Sequence, residues 1–168
     1  ANGTPIVNTE LVFNDTQIYN RNIILENGNI ILKDNNLKFD VVLRDVSARK
    51  PVELSGIYPL SNSSPIDLKI ESHGDGLAFL TGLTKGSVSW AEGTADLSLI
   101  IRGTPSAPIA NGFIVFKNSD LLFQGKELKN LNSTIVFDFN RVEVRKFQAN
   151  VGQNGVITSQ GGISLFDS

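Results

Sequence analysis

Strict alternation of apolar and polar residues is the feature that most constrains the fold of this chain. In LKFDVVL, the residues Leu37, Phe39, Val41 and Leu43 share one side. Successive side chains of a strand point to opposite faces, so such a run predicts a strand with one apolar and one wet face. Four further runs place apolar residues in the same way, at Leu68, Ile70, Leu97, Leu99, Ile101, Ile135, Phe137, Phe139, Val142 and Val144.

Turn signals separate these runs from end to end. They occur at Asn27-Gly28, at Asp34-Asn35-Asn36, at Asn140-Arg141 and at Asn154-Gly155. Short polar turns join neighbouring strands in opposite directions. The spacing therefore predicts an all-β fold of about twelve short antiparallel strands, in one long meander.

One segment breaks the two-residue period. In GDGLAFLTGLTKG, the leucines Leu77, Leu80 and Leu83 lie three residues apart, and Asp75 precedes them as a candidate N-cap. This pattern predicts one short helix near residues 75–84. Such a helix either plugs an open end of the sheet or is a connector that buries its three leucines.

A weak internal repeat organises the chain. Gly-Thr-Pro occurs at Gly3 and again at Gly103, each time before a strand-like run. We expect residues 1–168 to form a single β-repeat segment of a larger protein, with units at about 3–60 and 103–166 joined by residues 61–102. Residues 102–116 would be the seam between units, where Pro105 and Pro108 stay outside the strand ladder.

The apolar faces of so many strands need cover. A wide flat sheet would leave one hydrophobic side in water. Two solutions remain open: one sheet folded along its length into an open half-pipe, or trough, with an apolar lumen, or a two-sheet β-sandwich. Gly56 and Pro108 would supply bends in either case.

The composition contains few residues that could support nucleic-acid binding, catalysis or metal binding. The net charge is −2, and lysine and arginine are scattered, so nothing favours binding to nucleic acid. The chain has no cysteine, and His73, its only histidine, has no partners at the spacing that general-base or metal chemistry needs. We therefore expect no enzyme activity, no catalytic or metal residues, and no cofactor.

The second half of the chain resembles a known family. A strand ending in LIIRGT is followed by a proline, then by IANGFIVFKNSD, then by LNSTIVFDFNRVEV and a glycine-rich strand. This order resembles the C-terminal region of the TamB family, the translocation and assembly module of diderm envelopes. That family belongs to the wider AsmA-like group and has chloroplast envelope relatives. The resemblance is best over residues 95–166 and looser over residues 3–60.

The resemblance implies a periplasmic protein, anchored in the inner membrane by an N-terminal helix that this sequence does not contain. Its sheet would be a half-pipe whose lumen, lined by the fourteen apolar residues named above, carries phospholipid acyl chains between membranes. A barrel partner in the outer membrane would meet its far end, and the role would extend to outer-membrane biogenesis. The alternative is a protein-binding module that assists barrel assembly or secretion by edge-strand pairing.

Two other classes are less favoured. A carbohydrate-binding sandwich and a polysaccharide-cleaving β-helix both need aromatic or acidic residues clustered on a wet face. Aromatic residues make up 8% of this chain and are mostly phenylalanine. Most of these phenylalanines fall in the inward phase of their strands, which favours a lining role over a sugar-binding one.

Overall fold

The computed structural model describes residues 7–10, 16–18 and 21–164, which form one antiparallel sheet of eleven strands. The Gly3 motif and the last residues of the second predicted repeat unit lie outside this range. The strands are β1 (Val7–Glu10), β2 (Thr16–Ile18), β3 (Arg21–Lys33), β4 (Asn36–Asp45), β5 (Val52–Pro59), β6 (Asp67–Ser72), β7 (Val88–Thr104), β8 (Ala107–Phe123), β9 (Lys126–Phe139), β10 (Arg141–Val151) and β11 (Gly155–Ser164).

The strands follow one another in an open meander. From β3 to β11 each strand pairs with its neighbours in sequence, while β1 and β2 share the outer edge of β3. The sheet does not close on itself, so β11 forms the opposite edge of the described part. The predicted all-β meander is confirmed. The two-sheet sandwich is excluded, because every described strand belongs to the same sheet.

The turn signals differ in their outcome. Asp34 and Asn35 form the β3–β4 turn, both with positive φ, as predicted. The Asn27-Gly28 prediction is wrong, because both residues lie inside β3, next to a shift in pairing register between Leu25 and Asn27. An extra residue in one strand is accommodated as a β-bulge, which suits the same residue types as a turn.

The Arg102 region is a hairpin rather than a long seam. Strand β7 runs to Thr104 and β8 begins at Ala107, so Pro105 and Ser106 alone make the turn. Pro108 was predicted outside the ladder, but it pairs with Gly103. Proline is tolerated near the start of a strand, because the missing N–H costs little there.

The predicted helix is present as two short turns. A 3₁₀ turn (Gly76–Phe79) continues into α1 (Leu80–Leu83), and together residues 76–83 are called the helical segment. Leu77 is buried with 1% of its surface exposed, whereas Leu83 is 52% exposed, so the segment does not bury all three leucines. In the described part of the chain, no helix is long and apolar enough to cross a membrane.

Asp75 occupies the N-cap position of the helical segment, as predicted, but its carboxylate makes no side-chain cap bond. The carboxylate instead accepts hydrogen bonds from the backbone N–H groups of Arg49 and Lys50 at 3.0–3.1 Å and from the Nε–H of Arg49 at 3.3 Å. The predicted position is therefore confirmed, whereas the side-chain bond goes to other donors. Because these three donors lie in the β4–β5 loop, the acid ties the helical segment to that loop.

Candidate functional site: an apolar groove

The pairing register places all fourteen predicted residues on one face of the sheet. Residues directly opposite each other in neighbouring strands share a face. Four rows of such pairs cross the sheet, and they contain Leu37; Phe39, Leu68, Ile101 and Phe139; Val41, Ile70, Leu99, Phe137 and Val142; and Leu43, Leu97, Ile135 and Val144. This face, with the direct partners of these residues, is called the groove.

The opposite face holds most of the charged residues and is called the charged face. Its acids and bases are Asp40, Glu53, Asp67, Lys69, Glu71, Asp96, Arg102, Lys117, Asp138, Arg141 and Glu143, and its apolar residues include Val42, Ile57, Ile100, Phe113, Val115 and Val136. From β7 to β11, the groove residues between the turns and the bulges carry no charge. The two faces therefore differ in charge: one is mixed and the other is mostly apolar.

Two glycines without side-chain space shape the groove. Gly56 pairs with Phe39, and Gly112 pairs with Phe137. Both glycines have positive φ, and a Cβ at either would lie 2.0 Å from a backbone oxygen of the next strand. Glycine kinks bend a sheet, and an aromatic ring on the neighbouring strand covers the surface that glycine leaves bare. The same device therefore occurs in both halves of the chain.

β-Bulges occur in consecutive strands of the second half of the sheet. Register shifts interrupt β7–β8 on both sides of Glu92, β8–β9 on both sides of Ser119, β9–β10 before Lys146 and again between Gln148 and Asn150, and β10–β11 between Val144 and Phe147. Bulges bend the strand that contains them and increase its twist. Because they lie in consecutive strands, they favour a bend across this half of the sheet, and the bulged region is called the fold line.

The fold line buries side chains without a second layer. Leu121, Leu131 and Ala149 form a closed cluster there, with Trp90 and Phe147 packed against it, and Leu131 is only 2% exposed. The helical segment makes most of its contacts with β4, β5 and β7, whereas the three residues of this cluster lie on β8, β9 and β10. A flat single sheet would leave such residues in water, so the bend toward the groove side must cover them.

The helical segment covers a different part of the groove. Leu77 packs against Ala95 and Leu97, and the partly buried Leu80 and Trp90 surround them. The 3₁₀ turn also contacts β4 and β5, so it reaches across several strands. Neither predicted role is observed as stated: the segment connects β6 to β7, but it leaves Leu83 exposed, and it packs against β4, β5 and β7 rather than plugging an open end of the sheet.

Two acids anchor this cover. Burial raises the pKa of Asp45, but hydrogen bonds from Ser47 and Arg21 outweigh it, and the net pKa is lowered. At Asp75, burial also acts to raise the pKa, and hydrogen bonds from Arg49 and Lys50 again lower it overall. Both carboxylates are therefore charged in the folded state at neutral pH and hold the loop between β4 and β5.

The rest of the groove is half-buried or open. Its outermost rows expose Tyr58 and Ile163, and Phe139, with positive φ at the end of β9, is 57% exposed. Rows of groove residues continue from β4 to β11, about 34 Å at the usual spacing between strands. The structure thus presents a long apolar surface with a cover over one part of it.

Several groove residues were not predicted from the sequence. Leu54, Ile114 and Phe116 lie in the groove rows, and Phe147 and Trp90 continue the apolar surface past the bulges. GFIVF is apolar at every position after its glycine, so alternation could not assign its faces. A signal exists for Phe147: it lies three positions after Val144, and such an odd spacing between apolar residues marks a bulge.

The residues considered for general-base or metal-binding roles lie on the charged side of the sheet. His73 is exposed, and its Nδ1 lies 3.1 Å from Asp96, which also accepts a hydrogen bond from Lys117 at 3.0 Å. The bond with His73, followed by that with Lys117, lowers the pKa of Asp96. Among the described residues no group of three histidine or acidic side chains could hold a metal ion.

One comparison with known proteins found a distant relative. The chain is 24% identical over 115 residues to the protein TIC236, chloroplastic, of Arabidopsis thaliana. The match covers 67% of this chain and 5% of that protein. It gives a distant link to the chloroplast relatives of the TamB and AsmA-like group, without making the chain a TamB protein. No family model matches the chain, and no solved structure matches it.

Proposed function

We propose that the chain is one section of an envelope conduit whose groove carries phospholipid acyl chains across an aqueous gap. The observation that carries this proposal is the mostly apolar face of the groove, which joins eight consecutive strands and lies opposite the face that holds most of the charged residues. Exposing a CH₂ group to water costs about 0.8 kcal/mol. A continuous apolar surface lets the chain slide while its head group stays in water.

The setting of this conduit is part of the same proposal. The distant similarity to a chloroplast protein of the TamB and AsmA-like group supports an envelope location. In a diderm cell we propose the periplasm, with the full-length protein anchored in the inner membrane. A barrel in the outer membrane would be its partner, and the role would be non-catalytic support of outer-membrane biogenesis.

Photocrosslinking tests acyl contact directly. A photoreactive amino acid at Phe39 or Phe137, both in the groove, should crosslink to lipid acyl chains. The same residue at Arg141, which lies on the charged face opposite Asp138, should not. Crosslinks from Arg141 alone would contradict the proposal.

A charge in the groove tests transport. Phe137→Asp should block acyl passage, because a carboxylate in an apolar surface is strongly unfavourable. Thr134→Asp is the matched control, since Thr134 lies on the other face opposite Lys146. Lipid transfer between two populations of vesicles is the measurement, with the variants placed in the full-length protein. Equal transfer by both variants would remove the conduit function.

A second function has its own observation. Every residue of β11 is exposed, and within the described part of the sheet β11 pairs on one side only, with β10. An unpaired edge offers backbone N–H and C=O groups to another strand. The edge would then bind strands of unfolded barrel proteins and assist their assembly.

The absence of cysteine makes this edge easy to probe. A single cysteine at Ser159 should form a disulfide with a cysteine-bearing barrel peptide if the edge pairs with it. Thr134→Cys, inside the sheet, is the control that should remain unlinked. If Ser159→Cys forms the disulfide and Phe137→Asp also loses lipid transfer, the chain has both functions. If Ser159→Cys and Thr134→Cys form the disulfide equally well, edge pairing is excluded.

A further inference from the structure

One buried serine in the groove is unlike the others. Ser133 lies in β9 directly opposite Phe116 of β8 and Phe147 of β10, and only 3% of its surface is exposed. Its hydroxyl has no hydrogen-bond partner among the described residues. The buried serines Ser72 and Ser119, by contrast, donate to backbone oxygens at 3.2 and 2.8 Å.

A second unpaired donor belongs to the same apolar surroundings. The indole Nε1 of Trp90 is buried and also lacks a partner in the described structure. Trp90 packs against the cluster at the fold line together with Phe116 and Phe147, the two residues that pair with Ser133. The ring centroids of Trp90 and Phe116 are 6.3 Å apart. Buried donors usually have partners, so two unpaired donors around one apolar cluster favour an oxygen acceptor there.

The surroundings select the kind of acceptor. The groove rows of β7 to β11 between the turns and the bulges contain no charged side chain in the described sheet. A carboxylate or phosphate placed there would be a buried charge without a counter-ion, which is strongly unfavourable. A neutral carbonyl oxygen needs only the two donors, and it can carry a hydrocarbon chain with it.

We propose that Ser133 and Trp90 form a binding station for the ester carbonyl of an acyl lipid. The attached hydrocarbon chain lies along the row of Leu97, Ile114 and Ile135, next to the row that contains Ser133. The carbonyl accepts hydrogen bonds from the Ser133 hydroxyl and the Trp90 indole N–H. The station rests on the proposed function, because it gives the groove a place where a lipid pauses.

Trp90 links the station to the helical segment. The backbone N–H of Trp90 donates to the hydroxyl of Thr81 at 3.0 Å, and Trp90 and Leu80 both pack against the cluster of Leu77, Ala95 and Leu97. A lipid carbonyl bound to the Trp90 indole would therefore lie beside this cover.

Trp90 is the only tryptophan in the chain, so its fluorescence reports on this site alone. The probes are phosphatidylcholines brominated near the ester, at mid-chain or near the methyl end, solubilised in detergent. Bromine quenches a nearby indole, so the near-ester lipid should quench Trp90 most. Matching brominated free fatty acids should bind more weakly, because their carboxylate is charged.

Variants assign the effect to the hydroxyl. Ser133→Ala should bind the ester lipid about fivefold more weakly, the loss expected for one hydrogen bond, and should lose the near-ester preference. Ser133→Cys, which keeps the shape of the side chain with a larger atom that donates poorly, should behave similarly. Ser98→Ala, on the charged face opposite Phe113, should match the parent chain. Far-ultraviolet circular dichroism shows whether each variant folds.

The outcomes separate the station from the conduit. Equal quenching at all bromine positions, with lipid retained on gel filtration, overturns the station and leaves the conduit standing. No quenching and no retained lipid overturns both. If Ser133→Ala binds the ester lipid as tightly as the parent chain does, the Ser133 hydroxyl does not bind the carbonyl, and the station is overturned. Tighter binding of the free fatty acids than of the ester lipids also overturns it.

Discussion

The groove is closed by a cover in one region and by a bend in another. Over β4 to β7, Leu77 of the helical segment packs onto Ala95 and Leu97. Over β8 to β10, Leu121, Leu131 and Ala149 are buried by the fold line of the sheet itself. A single-layer sheet can thus bury apolar side chains either by adding a short helix or by curling.

Strand length explains where each solution occurs. Strand β6 has six residues and pairs only with the last part of β7, which has seventeen. The first part of β7 has no strand beside it on the β6 side, and the helical segment packs there. Strands β7 to β9 are all long, so bulges can bend them together.

The largest expected effect tests the device that both regions share. Gly56→Ala and Gly112→Ala should each destabilise the sheet by about 4 kcal/mol, since the new Cβ combines backbone strain with a clash against a backbone oxygen. Gly161→Ala is the control: its φ is also positive, but nothing lies within 4 Å of the new Cβ. Urea unfolding measures all three. If one of the two substitutions lowered the free energy of unfolding much more than the other, the two halves of the sheet would depend on the glycine kink to different degrees.

Leucine truncation tests the two closures against each other. Leu77→Ala and Leu131→Ala should each cost about 3 kcal/mol, because both side chains are buried in apolar clusters. Only Leu77→Ala should also loosen the cover and raise the binding of a hydrophobic dye to the folded chain. If Leu131→Ala raised dye binding equally, the bend would not be an independent closure.

The anchor of the cover has a smaller effect. Asp75→Asn should cost about 2 kcal/mol, because charged hydrogen bonds to the N–H groups of Arg49 and Lys50 become neutral ones. Faster hydrogen exchange at these two amides is the direct measurement. Asp96→Asn, an exposed acid on the charged face, should leave both amides unchanged.

The smallest effect is the pH dependence of the cover. The pKa values of Asp45 and Asp75 are lowered in the folded chain, so each contributes stability that is present above its unfolded pKa, near 3.8. This stability is lost as the pH falls through the folded values. The free energy of unfolding should therefore fall less between pH 6 and acidic pH for Asp75→Asn than for the parent chain. An equal difference would show that Asp75 does not anchor the cover.

Local sequence patterns predicted much of this structure, and particular residues show where each pattern stopped. Alternation predicted the sheet, turn residues predicted the turn at Asp34, and the spacing of the leucines predicted the position of the helix. The turn signal failed at Asn27-Gly28, where a bulge replaced the expected turn, and the cap signal did not foresee that the Asp75 carboxylate bonds residues 25 and 26 positions away. The assignment of faces by alternation ended at the bulges, where Val144 and Phe147 fall on the same side despite their odd spacing.

The sequence by itself determined which side of each regular strand is apolar, because the direction of a side chain in a strand follows from the local backbone. Leu97, Leu99 and Ile101 needed no distant partner to share a face. Only the tertiary structure decided where the sheet folds and what covers it. Those choices depend on the register between strands, which pairs Phe39 with Gly56, and on the packing of the helical segment, which brings Leu77 to Ala95.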